Sequence, residues 1–290
     1  MNVDRKKRLG LVLLVASFIM ASGREASGEA SSCESLPKAK RALAQKLHNA
    51  LHPYACCDGT LAECLKAKKV CRVVQRLANN ICRRVAKGES EKAIKRVLSR
   101  RARSMVAAGK KATSDLTHAA AAGASTSPVL LVEYACARCP FCAKITPALH
   151  REVVSGRLKG KAKFYFRTFP IRNHKYSKES GLGFVAAQRM GKFWPFALHV
   201  YKHFDAFSPD KQRPWARSLG MDCKKFGALM GDSETRRLLV EGKKEGLRNR
   251  VKATPTFFIN GKHYVGELNI EELVDVLGEA YDRKVGRIYR

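Results

Sequence analysis

The segment Val129-Leu-Leu-Val-Glu-Tyr-Ala-Cys-Ala-Arg-Cys-Pro-Phe-Cys142 runs an apolar strand straight into the start of a helix. Residues 129–134 are a short, partly β-branched run bounded by Ser127-Pro128, the pattern of a buried strand. The stretch from Ala143 to Leu158 has apolar residues at 145, 149, 153 and 154, a helical stripe. This places Cys139 at the helix N-cap and Pro140 at the first helical position, where a missing N–H costs nothing. A helix N-terminus offers unpaired N–H groups and partial positive charge, which stabilise an anion at the cap. The reactive form of cysteine is such an anion. Cys142, nearly one turn further in, is placed to attack a mixed disulfide on Cys139. The pattern predicts a site of thiol–disulfide exchange that needs neither metal nor organic cofactor, because the cysteine pair carries the redox equivalent.

Val132-Glu133-Tyr134 followed by Cys139-Pro140-Phe141-Cys142 resembles the active-site strand and helix of the DsbA family of thioredoxin-fold oxidoreductases. A second signature, Ala253-Thr254-Pro255-Thr256-Phe257-Phe258-Ile259-Asn260-Gly261-Lys262, resembles the strand whose cis-proline faces the cysteines in that fold. The resemblance covers roughly residues 129–284. It implies an α/β thioredoxin fold with a helical insertion. Cys139 would be the exposed nucleophile and Cys142 the resolving thiol. Thr254 and Pro255 would form a cis turn beside them, and Glu133 a buried acid relaying a proton to or from Cys142. Arg138, just before the nucleophile, could stabilise its thiolate by proximity of charge. Phe141 cannot donate a hydrogen bond to Cys139 as a histidine there could, which points to a milder oxidant or an isomerase or reductase.

The rest of the 290-residue chain divides by composition. Residues 1–23 have the parts of a secretory signal: Arg5-Lys-Lys-Arg8, an apolar run from Leu9 to Met20, and the small residues Ala21-Ser22-Gly23. Twelve apolar residues are too few for a bilayer core of about 30 Å. The expectation is an exported protein, periplasmic or else extracellular, with no transmembrane segment in the mature chain. Its net charge of +31 is shared by both halves, with 25 Lys/Arg against 9 Asp/Glu before residue 129 and 31 against 16 after it. No basic motif interleaved with aromatics accompanies it, so no specific nucleic-acid partner is expected.

An oxidising compartment permits structural disulfides. Cys33, Cys56, Cys57, Cys64, Cys71 and Cys82 crowd into residues 33–109, which read as a small Cys-rich all-α domain. Thr60-Leu-Ala-Glu63 is a capping box. Residues 70, 73, 74, 77, 81 and 85 form one helical stripe, and Ser90 can cap a further helix burying Ala93, Ile94, Val97 and Leu98. Such short helices bury little apolar surface and need staples. Cys71 and Cys82 are too far apart along one helix to pair together, so each must reach a cysteine elsewhere, with Cys56, Cys57 and Cys64 as candidates. Leu77 to Arg101 also resembles the helical hairpin of CcmH-type cytochrome c maturation thioreductases. The adjacent pair Cys56-Cys57 stands where that family has Cys-x-x-Cys. The spacings give no pair of zinc knuckles, so no metal is expected.

Residues 110–127 read as a linker without a buried pattern, with the Ala119–Ala122 run a candidate short helix. The thioredoxin domain then spans 128–290, with its helical insertion at roughly 176–250. Lys161–Phe169 alternates as a second strand, and Asn260-Gly261 joins two strands as a hairpin. Trp194 and the phenylalanines around it read as core. His174 reads as a loop residue. Cys136 makes Cys136-Ala-Arg-Cys139 a second Cys-x-x-Cys overlapping the first, and it can pair with Cys139, pair with Cys223, or stay free. Cys223 reads equally as a buried small hydrophobe. The predicted function is disulfide exchange with cysteine-containing exported proteins, assisted by a redox partner protein that recharges the pair. The alternatives are a thiol carrier in cytochrome c maturation, or a non-catalytic binding module or holdase with a basic surface.

Overall fold

The structure is a computed structural model that describes residues 33–106 and 111–289. The expected signal segment lies outside the described residues.

Four helices form the N-terminal part: α1 (Lys38–Ala50), α2 (Leu61–Cys64), α3 (Arg72–Ala86) and α4 (Glu91–Val106). The Thr60 hydroxyl and the Glu63 carboxylate satisfy each other's backbone N–H groups and start α2. Leu47, Leu61, Val74, Leu77, Ile81 and Ile94 meet in a small apolar core. Three disulfides staple it: Cys33–Cys82, Cys56–Cys71 and Cys57–Cys64. Cys71 reaches Cys56 as expected, but Cys82 reaches Cys33 rather than any cysteine of the 56–64 cluster. The reason is α1, which the sequence reading did not find. It lies against α3 with Ala44 and Leu47 buried, and so returns the chain just before it to the Cys82 face.

A five-stranded sheet in the order β1-β3-β2-β4-β5 carries the site. Its strands are β1 (Ala120–Ala122), β2 (Val129–Ala135), β3 (Ala162–Thr168), β4 (Thr256–Ile259) and β5 (Lys262–His263). β2 is central, parallel to β3 and antiparallel to β4. The expected linker is corrected at β1. Its alanines form an edge strand antiparallel to β3, with Ala120 and Ala122 buried, because pairing with Phe164–Phe166 overrides alanine's helical preference. Trp194 fixes this edge by donating from its ring N–H to the Ala121 carbonyl at 2.7 Å.

After β2 comes α5 (Pro140–Val154). The insertion between β3 and β4 holds α6 (Ser177–Arg189), α7 (Phe193–Lys202), α8 (Gln212–Ser218), α9 (Cys223–Gly231) and α10 (Ser233–Arg248). Phe184, Phe193, Phe196, Val200 and Phe226 fill its core, which is continuous with the cysteine site. Asn260 and Gly261 both have positive φ, the tight two-residue turn that joins β4 to β5. Asn269 then caps α11 (Ile270–Lys284) by accepting the Glu272 N–H at 2.8 Å.

The N-terminal helices dock on α11 through charge. Arg101, fully buried on α4, donates to Asp275 at 2.5 Å and to Glu279 at 2.9 Å, with Glu272 at 3.4 Å. Arg76 bridges Asp275 and Asp282, both at 2.8 Å, and Arg72 adds a second contact to Asp282. Tyr54 joins the network by donating to Glu279.

Candidate active site

The site forms where β2 ends. The Cys139 N–H donates to the Cys136 carbonyl at 3.1 Å, closing a tight turn from the strand into α5. Cys139 takes extended backbone angles as the N-cap and Pro140 opens the helix, so this placement is as the sequence predicts. β4 runs antiparallel to β2 with Thr256 opposite Tyr134, so the residues preceding β4 lie beside those following β2. That register brings the cis Thr254-Pro255 bond to the cysteines, and Cys139 Sγ–H donates to the Thr254 carbonyl at 3.2 Å.

Cys139 is not exposed as expected. Its relative exposure is 2%, because the Thr254 segment lies over the helix tip, while the neighbouring Phe141 stands 66% exposed. The two thiols are driven in opposite directions. A hydrogen bond from Cys142 holds the Cys139 thiolate at a pKa of about 5, against the upward pull of burial. The Thr254 side chain and the backbone N–H groups of Cys142 and Phe141 add to the effect. The buried Thr254 hydroxyl has no hydrogen-bond partner in the structure, so it is free to turn to the sulfur when Cys139 ionises. Cys142, fully buried, is pushed well up by desolvation, by its bond to Cys139 and by the charge of Glu133.

Glu133 lies beneath them on β2, opposite Phe166 on β3 and Phe257 on β4. It is fully buried, not a solvent-facing strand residue. Thr146, one turn beyond Cys142 on α5, donates to Glu133 Oε1 at 2.7 Å, while Oε2 is buried without a partner. Among the described residues no ion pair reaches this carboxylate. Burial raises its pKa to about 8, with the Thr146 hydrogen bond opposing and the Cys139 charge adding. An acid titrating near neutrality beside a buried thiol can exchange a proton with it. Thr146 was absent from the sequence reading, although its i+4 spacing from Cys142 puts both on one face of the helix.

Arg138 does not support the Cys139 thiolate. Its guanidinium donates to the Phe204 carbonyl at 2.6 Å and lies over the rings of Phe204 and Phe207, 4.2 and 4.8 Å from their centroids. Cation–π contacts and a carbonyl acceptor hold the side chain on the insertion. Cys223 is half-buried at the start of α9 rather than a core residue. Arg217 donates to its sulfur at 3.3 Å and lowers its pKa. It is not bridged to Cys136, which is a free, fully buried thiol beside His174 and Ser177. The six N-terminal cysteines are all in disulfides, so Cys56 and Cys57 are not available as a dithiol. Among the described residues one cluster of metal-ligand types, Cys33, His48 and Cys82, has its ligand atoms within 4.8 Å of one another. Its two sulfurs are joined to each other.

Comparison with known proteins agrees with this geometry. Residues 115–279 match the family described as thioredoxin, more than half of the chain. The structure is similar to oxidised BdbD of Bacillus subtilis, at a TM-score of 0.52 and 16% identity over 59% of this chain and 97% of that one. It is similar to alpha-DsbA1 of Wolbachia pipientis, at 0.52 and 17% identity over 60% and 96%. The thiol-disulfide exchange protein alpha-DsbA2 of the same organism superposes at 0.50 with 20% identity, over 58% and 87%. By sequence, the Na(+)/H(+) antiporter NhaA 3 of Salinispora tropica is 28% identical over 160 residues, 55% of this chain and 24% of the relative. The chain thus spans about a quarter of the length of that relative. No helix among the described residues is long and apolar enough to cross a membrane.

Proposed function

The chain belongs to the thioredoxin family, and from that premise we propose that it is an exported thiol–disulfide oxidoreductase that passes a disulfide to cysteine-containing proteins. The observation that carries this is the split between two neighbouring thiols, Cys139 held near pKa 5 and Cys142 held well above the ordinary thiol value. A client thiolate attacks the Cys139–Cys142 disulfide at Cys139, and Cys142 leaves as a thiolate that takes a proton from Glu133. A second client thiol then displaces Cys139. The client gains a disulfide and the protein gains two thiols. A low-pKa sulfur is a good leaving group, and a stabilised thiolate favours the reduced protein, so the pair tends to donate its disulfide. This reverses the expectation drawn from Phe141. The thiolate is held by Cys142, Thr254 and backbone N–H groups, and the side chain at 141 is not required to donate.

Glu133 allows the buried thiol to leave without stranding charge in an apolar site, since a buried unpaired charge is costly. Phe141, Ile145, Ala148, Pro255, Leu268 and Ile270 line a largely apolar groove beside Cys139, suited to an unfolded client. Three structural disulfides fit an oxidising compartment, and a redox partner protein would reoxidise the pair there. The test is transfer from the oxidised protein to a reduced dithiol peptide, with Cys139 alkylation followed against pH. Stoichiometric transfer, lost in Cys139→Ser, and half-maximal alkylation near pH 5 are expected. Alkylation that rises only with a free-thiol pKa of about 8.5 would overturn the reading. Suppression of client aggregation by Cys139→Ser/Cys142→Ser, without transfer by the parent, would favour a holdase.

A further inference from the structure

Cys136, left unassigned by the exchange between Cys139 and Cys142, sits in a built nucleophile's environment. Its sulfur is fully buried and free. The Arg138 N–H donates to it at 3.4 Å. Ser177 Oγ lies 3.2 Å away in a hydrogen bond that either atom can donate, and it accepts the Ile171 N–H at 2.8 Å. The third neighbour is His174 Nδ1, at 3.5 Å. A backbone N–H, a hydroxyl and an imidazole within reach of one sulfur are the surroundings of a thiol that a base can deprotonate for attack. The other charged or titratable groups facing it are Arg138 in the same turn, Lys243 on α10, and Tyr201 on α7, whose hydroxyl donates to the Cys136 carbonyl at 3.3 Å.

The partner for this thiol is three residues away. The hydrogen bond from Cys139 N–H to Cys136 O closes a four-residue turn. Such a turn keeps its end Cα atoms within about 7 Å, against about 4.4–6.8 Å for a disulfide. Rotation of the Cys136 side chain away from Ser177 is the movement needed.

We propose that Cys136 is a second resolving thiol, with His174 as its base, that closes a Cys136–Cys139 disulfide alternative to Cys139–Cys142. The inference rests on Cys139 being the nucleophile of the proposed exchange. In the step, His174 takes the Cys136 proton and the thiolate attacks Cys139 Sγ in a mixed disulfide. The Cys136–Cys139 bond forms and the bond to the substrate sulfur breaks. The substrate leaves as a thiolate and recovers the proton from His174. Electrons balance as in any disulfide exchange. A substrate caught on Cys139 when Cys142 is protonated and buried thus has a second way off.

Arg138 lies between the two cysteines, so trypsin separates them and makes the two disulfides distinguishable by mass. A Cys139–Cys142 bond stays within the peptide 139–144, whereas a Cys136–Cys139 bond links it to the peptide 112–138. The probe is oxidised glutathione, added to the reduced Cys142→Ser protein. The first step, a glutathione adduct on Cys139, tests the nucleophile, and its absence overturns the proposed exchange itself. The second step tests the inference: the adduct should disappear, glutathione should be released, and the linked peptides should appear. In Cys136→Ser/Cys142→Ser the adduct should persist. In His174→Gln/Cys142→Ser conversion should slow at least tenfold at neutral pH, and the difference should shrink as alkali ionises the thiol unaided. A persistent Cys139 adduct in Cys142→Ser overturns the role of Cys136. Conversion that His174→Gln leaves unchanged, or slows equally at every pH, overturns the role of His174.

Discussion

Glu133 and Asp275 are both buried carboxylates, and the protein treats them in opposite ways. Asp275, on α11, faces Arg101 and Arg76 at ion-pair distance. Burial pushes its pKa up, but the two guanidinium groups outweigh that and hold it below the usual carboxylate range. Glu133 has one hydroxyl, two phenylalanines and the cysteine pair for neighbours, and burial pushes its pKa up to about 8. Burial is common to both, so it cannot be what separates a structural acid from a chemical one. The separation comes from the cations. Where the chain needs a permanent seam it supplies arginines, and where it needs a proton that can move it supplies none.

The seam should break hardest. Replacing Arg101 by Met leaves Glu272, Asp275 and Glu279 facing one another without their central cation. Removing one partner of a buried pair typically costs about 3–5 kcal/mol. Denaturant unfolding of Arg101→Met should show a loss of that size, and limited proteolysis should degrade the N-terminal helices faster than in the parent. A loss under about 1 kcal/mol would mean that Arg76 and Arg72 carry the contact without it.

Glu133 should respond with the opposite sign. Its pKa is raised on folding, so between about pH 4.5 and 8 the folded protein keeps a proton that the unfolded chain gives up. Stability therefore falls as pH rises through that window. Glu133→Gln should remove the effect, stabilising by about 3 kcal/mol at pH 7 and by little at pH 4.5, while slowing exchange at Cys142. Asp275, with its pKa lowered, contributes stability that is present above the ordinary carboxylate value of 3.8 and lost as pH falls through its folded value. Acid should thus open the seam while leaving the Glu133 site intact. Melting followed separately at the two regions would show a common transition if the comparison is wrong.

How far the sequence disclosed these two regions follows from the range over which each is encoded. Cys139-Pro140, Thr60 to Glu63 and Asn260-Gly261 were legible because cap and turn chemistry is read within four residues. Thr254-Pro255 was legible only by its resemblance to a known signature. The seam was not legible, since Arg101 and Asp275 are 174 positions apart and each looks like any charged residue on a helix. The β1 alanines misled because tertiary pairing decided against their propensity. α1 was missed because only Ala44 and Leu47 of its thirteen residues are buried, too sparse a stripe to see. Arg138 was misplaced because proximity in sequence to Cys139 says nothing of where a long side chain finds its acceptor.

The smallest expected effect sharpens the comparison most, because it concerns a single hydroxyl. Thr146 gives Glu133 its one hydrogen bond, and a bond to the charged form favours that form. Thr146→Val keeps the shape on α5 and removes the donor, so the Glu133 pKa should rise further. A hydrogen bond to a charged group contributes about 1.5–3 kcal/mol, of which part is recovered when the neutral acid readjusts. The expected displacement is about one pH unit upward in the profile of Cys139–Cys142 closure from a mixed disulfide. Stability at pH 7 should change by less than about 1 kcal/mol, because there the acid is mostly protonated in either protein. If Thr146 served only to fill space, Val would fill it equally well and the profile would not move. A profile that moves while stability does not would place Thr146 with Glu133 in the proton's path and leave the arginine seam as the part of the molecule built for permanence.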